Sequence, residues 1–470
     1  MKIYDYIIYG GGPTGMTLAY LLAKNNYSVG LIEKESQLGG CWKVEWQDNK
    51  YFTEHSPRVI MDNDSSFFRL LNQIGFDYYN ETVSTYGSLF QTNKKIINFF
   101  YKNLQFLDYL KILNGYFNSN NLTVTEWLEK YNISNSGKKA FTVFSLLLAN
   151  SPDKLLINEI FGINNFPTMF LQFKDNQKWI NLLEKELINL KVNILKNYSL
   201  DYLIYDMTSN KISYAIVSHQ KEWKGKAQQF IYSKNHLITF PPKAMSNFLE
   251  NQIDIIRNNW DELSGNKLNK WLNDSTYHSF GFQLHFYKEQ TINEEWCWTC
   301  MNDYNLIMLP TSNYQTTFSK DENIKAVWSF TIVDTSVFIK RLNKTVDQMN
   351  KNEIVSDIIN LLKIKPDKIT FYDGLHKENN KWISKDSAFS LGKSGIVKNK
   401  GKLNNLFWIG PHNKKGITVI NKAVNIAVEW VKNNKNKTFN LDKTRNFTFE
   451  ITLIILFLII IYSYKNHIYV

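Results

Sequence analysis

The chain is poor in the residues that mark several protein classes. Three cysteines, Cys41, Cys297 and Cys300, occur among 470 residues. That is too few for a disulfide scaffold and points to a reducing compartment. Arginine is scarce too: Arg58, Arg69, Arg257, Arg341 and Arg445 are all there are, so nearly all the positive charge behind the +12 balance is lysine. Lysine and asparagine are spread along the chain rather than gathered in a stripe. Bidentate contacts to bases and phosphates normally need arginine, so the charge reads as compositional bias and no nucleic-acid partner is expected. No heptads or repeats are visible, which argues against coiled coils and solenoids. With 44% apolar and 15% aromatic residues, the chain is neither disordered nor collagen-like and can bury a sizeable core.

The two ends differ. The N-terminus passes through one short apolar segment, residues 6–9, straight into glycines, which is not the pattern of a secretory signal. Residues 451–464 read ITLIILFLIIIYSY without a charge. As a helix this run is about 21 Å long, and about 27 Å if extended back to Phe447, enough for a thin bilayer. A polar stretch, 436–450, precedes it like a linker. The expectation is a single-pass C-terminal transmembrane anchor with the catalytic body in the cytosol.

The strongest signal lies in the first forty residues. A strand-like run, residues 4–9, leads into Gly10-Gly11-Gly12-Pro13-Thr14-Gly15, which fits G-x-G-x-x-G. A helical pattern follows, then a second apolar run ending at Glu33, 18 residues after Gly15. Each part has a task in dinucleotide binding. Gly10 permits the turn, Gly12 lets a diphosphate approach the backbone, and Gly15 lets helix and strand pack. Pro13 and Thr14 open the helix, whose free N–H groups favour an anion. Glu33 is placed to accept hydrogen bonds from ribose hydroxyls.

Beyond the acid, Lys34-Glu35-Ser36-Gln37-Leu38-Gly39-Gly40-Cys41-Trp42 adds a Gly-Gly pair. This resembles the FAD-binding glutathione-reductase-like superfamily, in particular the flavin-containing amine oxidases. Cys41 stands where arginine is common in that family. The resemblance implies FAD, with Lys34, Gly39, Gly40, Cys41 and Trp42 beside it. Glu54-His55-Ser56-Pro57-Arg58-Val59-Ile60 resembles the family's flavin-side segment, and Arg58 is either a cation for the cofactor or a structural residue. The strand before Pro241-Pro242 fits the family, as does the run 405–410 ending in Gly410. The helix expected over 417–431 would bring Val419 and Ile420 to the flavin. Asn421-Lys422-Ala423 replaces the usual Glu-Gly-Ala.

The fold expected is therefore α/β. A discontinuous FAD-binding Rossmann domain (1–80, 186–250, 396–435) is joined to a helical insert (81–185) and a mixed α+β substrate region (251–395), with the 436–450 linker and the 451–464 anchor last. No second strand–GxGxxG–helix unit for NAD(P)H is visible. The resemblance implies oxidation of a small organic substrate by hydride transfer to flavin, with oxygen or another acceptor, and no metal. Amine oxidases commonly carry a lysine on a substrate-region strand. The matching strand, 277–286, has none, and Gln283 and His285 share one of its faces as candidate replacements. Catalytic residues stay unassigned. Cys297-Trp298-Thr299-Cys300 reads as part of a strand whose thiols face apart. Two alternatives stand: a non-redox flavoenzyme resembling UDP-galactopyranose mutase, and a binding protein resembling the Rab GDP-dissociation inhibitors.

Overall fold

A computed structural model describes residues 2–62, 64–84, 103–117, 121–148, 150–161, 170–220, 227–261, 266–276, 278–291, 303–384 and 395–435, with 389, 391 and 393 singly. Cys297 and Cys300 lie outside these residues.

The first sheet starts with β1 (Ile3–Tyr9). Helix α1 (Pro13–Lys24) crosses to β2 (Val29–Glu33). After the insert come β3 (Asn193–Lys196), β4 (Tyr198–Asp206), β5 (Lys211–His219) and the long β6 (Gln228–Ile238). The order is β3-β2-β1-β6-β5-β4, and the short strand Leu406–Trp408 also pairs β6. The strands β3, β2, β1, β6 and Leu406–Trp408 run parallel, whereas β4 and β5 form an antiparallel meander. The parallel strands need cover on both faces. On one side Tyr6, Ile8 and Leu31 pack with α1 and the helices Lys178–Asn189 and Ile420–Lys435. On the other, Ile7, Tyr9 and Ile32 join Met245, Trp260 and Trp408.

The second sheet is antiparallel. Its strands are β7 (Phe280–Phe286), β8 (Leu306–Leu309), β9 (Ala326–Ile332) and β10 (Lys368–Phe371), in the order β8-β9-β7-β10. Alternation sends Phe280, Phe282, Leu284 and Phe286 into an aromatic core with Trp328 and Phe330. The opposite face carries Gln283, His285, Ser329, Thr331 and Thr370, all buried. These polar groups meet a backbone segment from far away. Gln283 Nε2 donates to the Glu54 carbonyl at 2.7 Å and Thr370 Oγ1 to the Phe52 carbonyl at 3.2 Å. A Cβ on Gly281 would lie 2.1 Å from the His55 carbonyl oxygen, so only glycine admits that approach.

The membrane-anchored architecture and location expected from 451–464 are corrected. Among the described residues no helix is long and apolar enough to cross a membrane. The longest, Ile420–Lys435, has 16 residues and one exposed polar face. The linker and the apolar run, within 436–470, lie outside the described residues.

Candidate functional site

The Gly10 turn shows why the sequence needs three glycines there for different reasons. Gly10 sits at φ +105°, a region that L side chains rarely enter. A Cβ on Gly15 would lie 1.9 Å from the Gly10 carbonyl oxygen, so the helix can begin this close to β1 only with glycine. Gly12 is different. Its Cβ would make only an ordinary contact, with the Gly40 Cα at 3.9 Å, so there is room beside it. Helix α1 begins there with Gly12 as N-cap, no side chain capping it and Pro13 in its first turn. The orphan N–H groups of that turn are available to a ligand.

Glu33 closes β2 and is 7% exposed. Its carboxylate accepts from Gly11 N–H at 2.6 Å and from Glu35 N–H at 2.9 Å. Burial raises its pKa against the pull of these two donors. Two accepted bonds leave lone pairs on each oxygen for further donors. The acid thus pins the Gly11 backbone and also lines the crevice.

The second glycine pair runs alongside the first. Gly39 N–H donates to the Gly11 carbonyl at 2.8 Å, and the Gly40 and Gly12 backbones nearly touch. Arg58, 5% exposed, holds this loop from behind. Its guanidinium donates to the Trp42 carbonyl at 3.0 Å and the Lys43 carbonyl at 2.8 Å, and its Nε lies 3.8 Å from buried Glu54. Lys43 is ion-paired with Glu45 at 3.0 Å and Glu35 at 3.4 Å.

The last segment forms the facing wall. Thr14 Oγ1 donates to the Ala423 carbonyl at 3.3 Å, which brings the start of α1 against the first turn of Ile420–Lys435. Lys422, where the family usually has glycine, donates Nζ to the Gly416 carbonyl. Burial lowers Lys422 to about 8 and raises Glu159 to about 6, each offset by the other's charge. His412 is fully buried, 4.1 Å ring to ring from Trp408. Desolvation lowers its pKa to about 3, so the ring is neutral; the Trp408 carbonyl nearby opposes this without reaching hydrogen-bond geometry.

These walls enclose a cavity of about 800 Å³. Gly10, Gly12, Pro13, Thr14, Gly15, Glu33, Lys34, Gly40, Cys41, Trp42, Arg58, Val419 and Ile420 line it. Gly39 and Gly410 are placed just outside the lining. Gly39 takes φ +112° beneath Ile180, shaping the loop from below. Gly410 is extended and makes room for the His412 ring, which a Cβ would meet at 2.6 Å. Gln283 and His285 are also outside it: the first bonds Glu54 and the second Thr370 Oγ1 at 2.9 Å, deep in the polar seam. Arg58 borders the cavity but directs its guanidinium at the loop carbonyls.

Other lining residues carried no sequence signal. Tyr198, Asp201 and Gln228 come from the meander, Asn247 and Asn251 from the end of the helix Pro242–Glu250, and Leu147 and Leu148 from the insert. The Pro-Pro helix start was the one local cue to any of them.

The geometry fits a dinucleotide: open backbone at Gly12, an uncapped helix start and a buried acid one strand away. Comparisons agree. Residues 8–74 match the NAD(P)-binding Rossmann-like domain family. UDP-galactopyranose mutase of Mycoplasma genitalium is 25% identical over 227 residues, 43% of this chain and 56% of that protein. The chain thus spans about half the length of this curated relative. Among solved structures, an oxidoreductase from Methanosarcina mazei aligns with TM-score 0.59 at 13% identity, over 91% of this chain and 99% of the other. Putrescine oxidase bound to putrescine aligns with TM-score 0.58 at 13% identity, over 93% and 100%. Residues 8–74 are therefore similar to an NAD(P)-binding Rossmann-like domain, and the chain shares the fold of these solved oxidoreductase structures.

Proposed function

We propose that the cavity holds FAD and that the protein is an FAD-dependent oxidoreductase of amine-oxidase type, acting on a small organic substrate. The observation that carries this reading is the open, uncapped start of α1 with buried Glu33 beside it. The Gly12–Thr14 backbone would receive the diphosphate, and Glu33 the adenosine ribose hydroxyls. The Gly40–Trp42 loop, fixed by Arg58, would cover the phosphates. The first turn of Ile420–Lys435 would face the ring system, with Val419 and Ile420 against it. Bound flavin supplies a two-electron acceptor for a substrate hydride, with oxygen or another acceptor downstream. The protein's share is to orient the substrate, exclude water and set the local field.

A second reading, a non-redox flavoenzyme, is favoured by the similarity to UDP-galactopyranose mutase. It ranks lower on charge. FAD already accounts for the helix start, so a sugar nucleotide's diphosphate would need further cations, and of the described lining residues Arg58 holds two carbonyls, Lys43 holds two carboxylates and only Lys34, 4.0 Å from Glu35, is loosely held.

Purified protein is expected to carry flavin absorbance and to bleach anaerobically with an oxidisable substrate. Protein that neither retains nor binds FAD would end this reading.

A further inference from the structure

The cavity is divided by chemistry. The acids among its described lining residues are Glu33, Glu35 and Asp201, all on β2, the turn after it, or β4. Each is engaged: Glu33 by two backbone N–H groups, Glu35 by Lys43, and Asp201 by Ser199 and Ser218. The opposite end is walled by Val59, Met61, Leu147, Leu148 and Val419. All five belong to one hydrophobic cluster, packed between the helical insert and β8. Met61, Leu147 and Leu148 are its buried members, while Val59 and Val419 are half-buried at its edge. Among the described residues, three polar side chains bordering this end are Arg58, His412 and His55. Arg58 is tied to the loop carbonyls, His412 is unprotonated, and His55 lies against the Tyr372 ring at 5.9 Å.

A cation or a phosphate entering this end loses hydration and gains no paired charge from the wall, which is costly. An apolar surface gains contact and releases water. We infer that the substrate meets this end of the cavity with an uncharged, hydrocarbon-rich face. The substrate class is then a neutral apolar compound with an oxidisable C–H bond, rather than a protonated polyamine or a sugar nucleotide. This inference rests on the FAD reading for the oxidation but not for the binding preference.

The test uses the full chain with its bound flavin and three probes: n-butylbenzene, n-butylammonium and UDP. Binding is followed by tryptophan fluorescence, which does not require flavin, and substrate use by anaerobic bleaching with neutral and amine panels. The expected result is at least tenfold tighter binding of n-butylbenzene than of either charged probe. Val59→Asp should lower that preference at least tenfold with flavin content and melting temperature retained. If Val59→Asp does not fold, Leu148→Gln provides the same comparison. Tighter binding of butylammonium or UDP by the native protein overturns the inference, as does a wall variant with unchanged preference. Bleaching by protonated amines alone also overturns it. Loss of flavin with the binding preference intact would instead count against the FAD reading only.

Discussion

At the Glu33 end the cavity is lined by main chain, whereas at the Leu147 end it is lined by side chains. The first end is centred on one continuous stretch, Gly10 to Glu33, with β4 beside it, and glycines in that stretch remove side chains so that N–H groups and helix start are reachable. The second is assembled from the segment before Met61, the insert around Leu147 and the loop before Ile420. Backbone surfaces recognise what every dinucleotide shares; a side-chain wall changes with each substitution. The difference teaches where specificity for cofactor and for substrate is kept.

Acid should erase both ends at once, the largest effect expected. Desolvation lowers His236 and His412 to about 3 and His285 to about 4. The folded state therefore favours neutral rings. Their stabilisation is complete above the ordinary value near 6.5 and is lost as pH falls toward 4. By pH 5 each ring costs ~2 kcal/mol. A melting curve that stays flat from pH 7 to pH 5 would refute it.

Gly15→Val drives a side chain into the Gly10 carbonyl and should cost about 3 kcal/mol with loss of flavin, read by thermal melting and bound absorbance. Glu33→Ala frees the buried Gly11 and Glu35 N–H groups and removes a ribose acceptor. About 1.5–3 kcal/mol of FAD affinity should go, measured by titrating apoprotein. Gln283→Leu breaks the seam bond to Glu54 and should cost about 1–2 kcal/mol of stability while FAD affinity stays unchanged; a change in affinity would return Gln283 to the site. Gly12→Ala sharpens the contrast with Gly15. Its methyl makes only an ordinary contact, so melting should stay within about 0.5 kcal/mol of native while FAD affinity falls.

The legible part of the molecule was the local part. The Gly10 turn, α1 and Glu33 are adjacent in sequence, and their spacing alone dictates the crevice floor. The Pro241-Pro242 stop also read correctly: β6 ends at Ile238 and a helix begins at Pro242. What failed depended on distant partners. Period two on β7 showed that Gln283 and His285 share a face, but not that the Phe52–His55 backbone would cover it. Arg58 read as either a cofactor cation or a structural residue, because nothing in sequence aligns it with the Trp42 carbonyl. The Leu147 wall had no motif, since an apolar helix end looks the same whether it faces a core or a cavity.

The contact between Thr14 and Ala423 spans 409 residues, and this sets an order of events during synthesis. The glycine turn leaves the ribosome well before its facing wall, which is translated 409 residues later. At about 5–20 residues per second, tens of seconds separate the two. For the earlier part of that interval β1 lacks its neighbour β6, and for the rest β6 in turn lacks Leu406–Trp408. Cofactor capture is consequently a late event in biogenesis, and a message cut short before codon 406 would yield the motif without the pocket it serves.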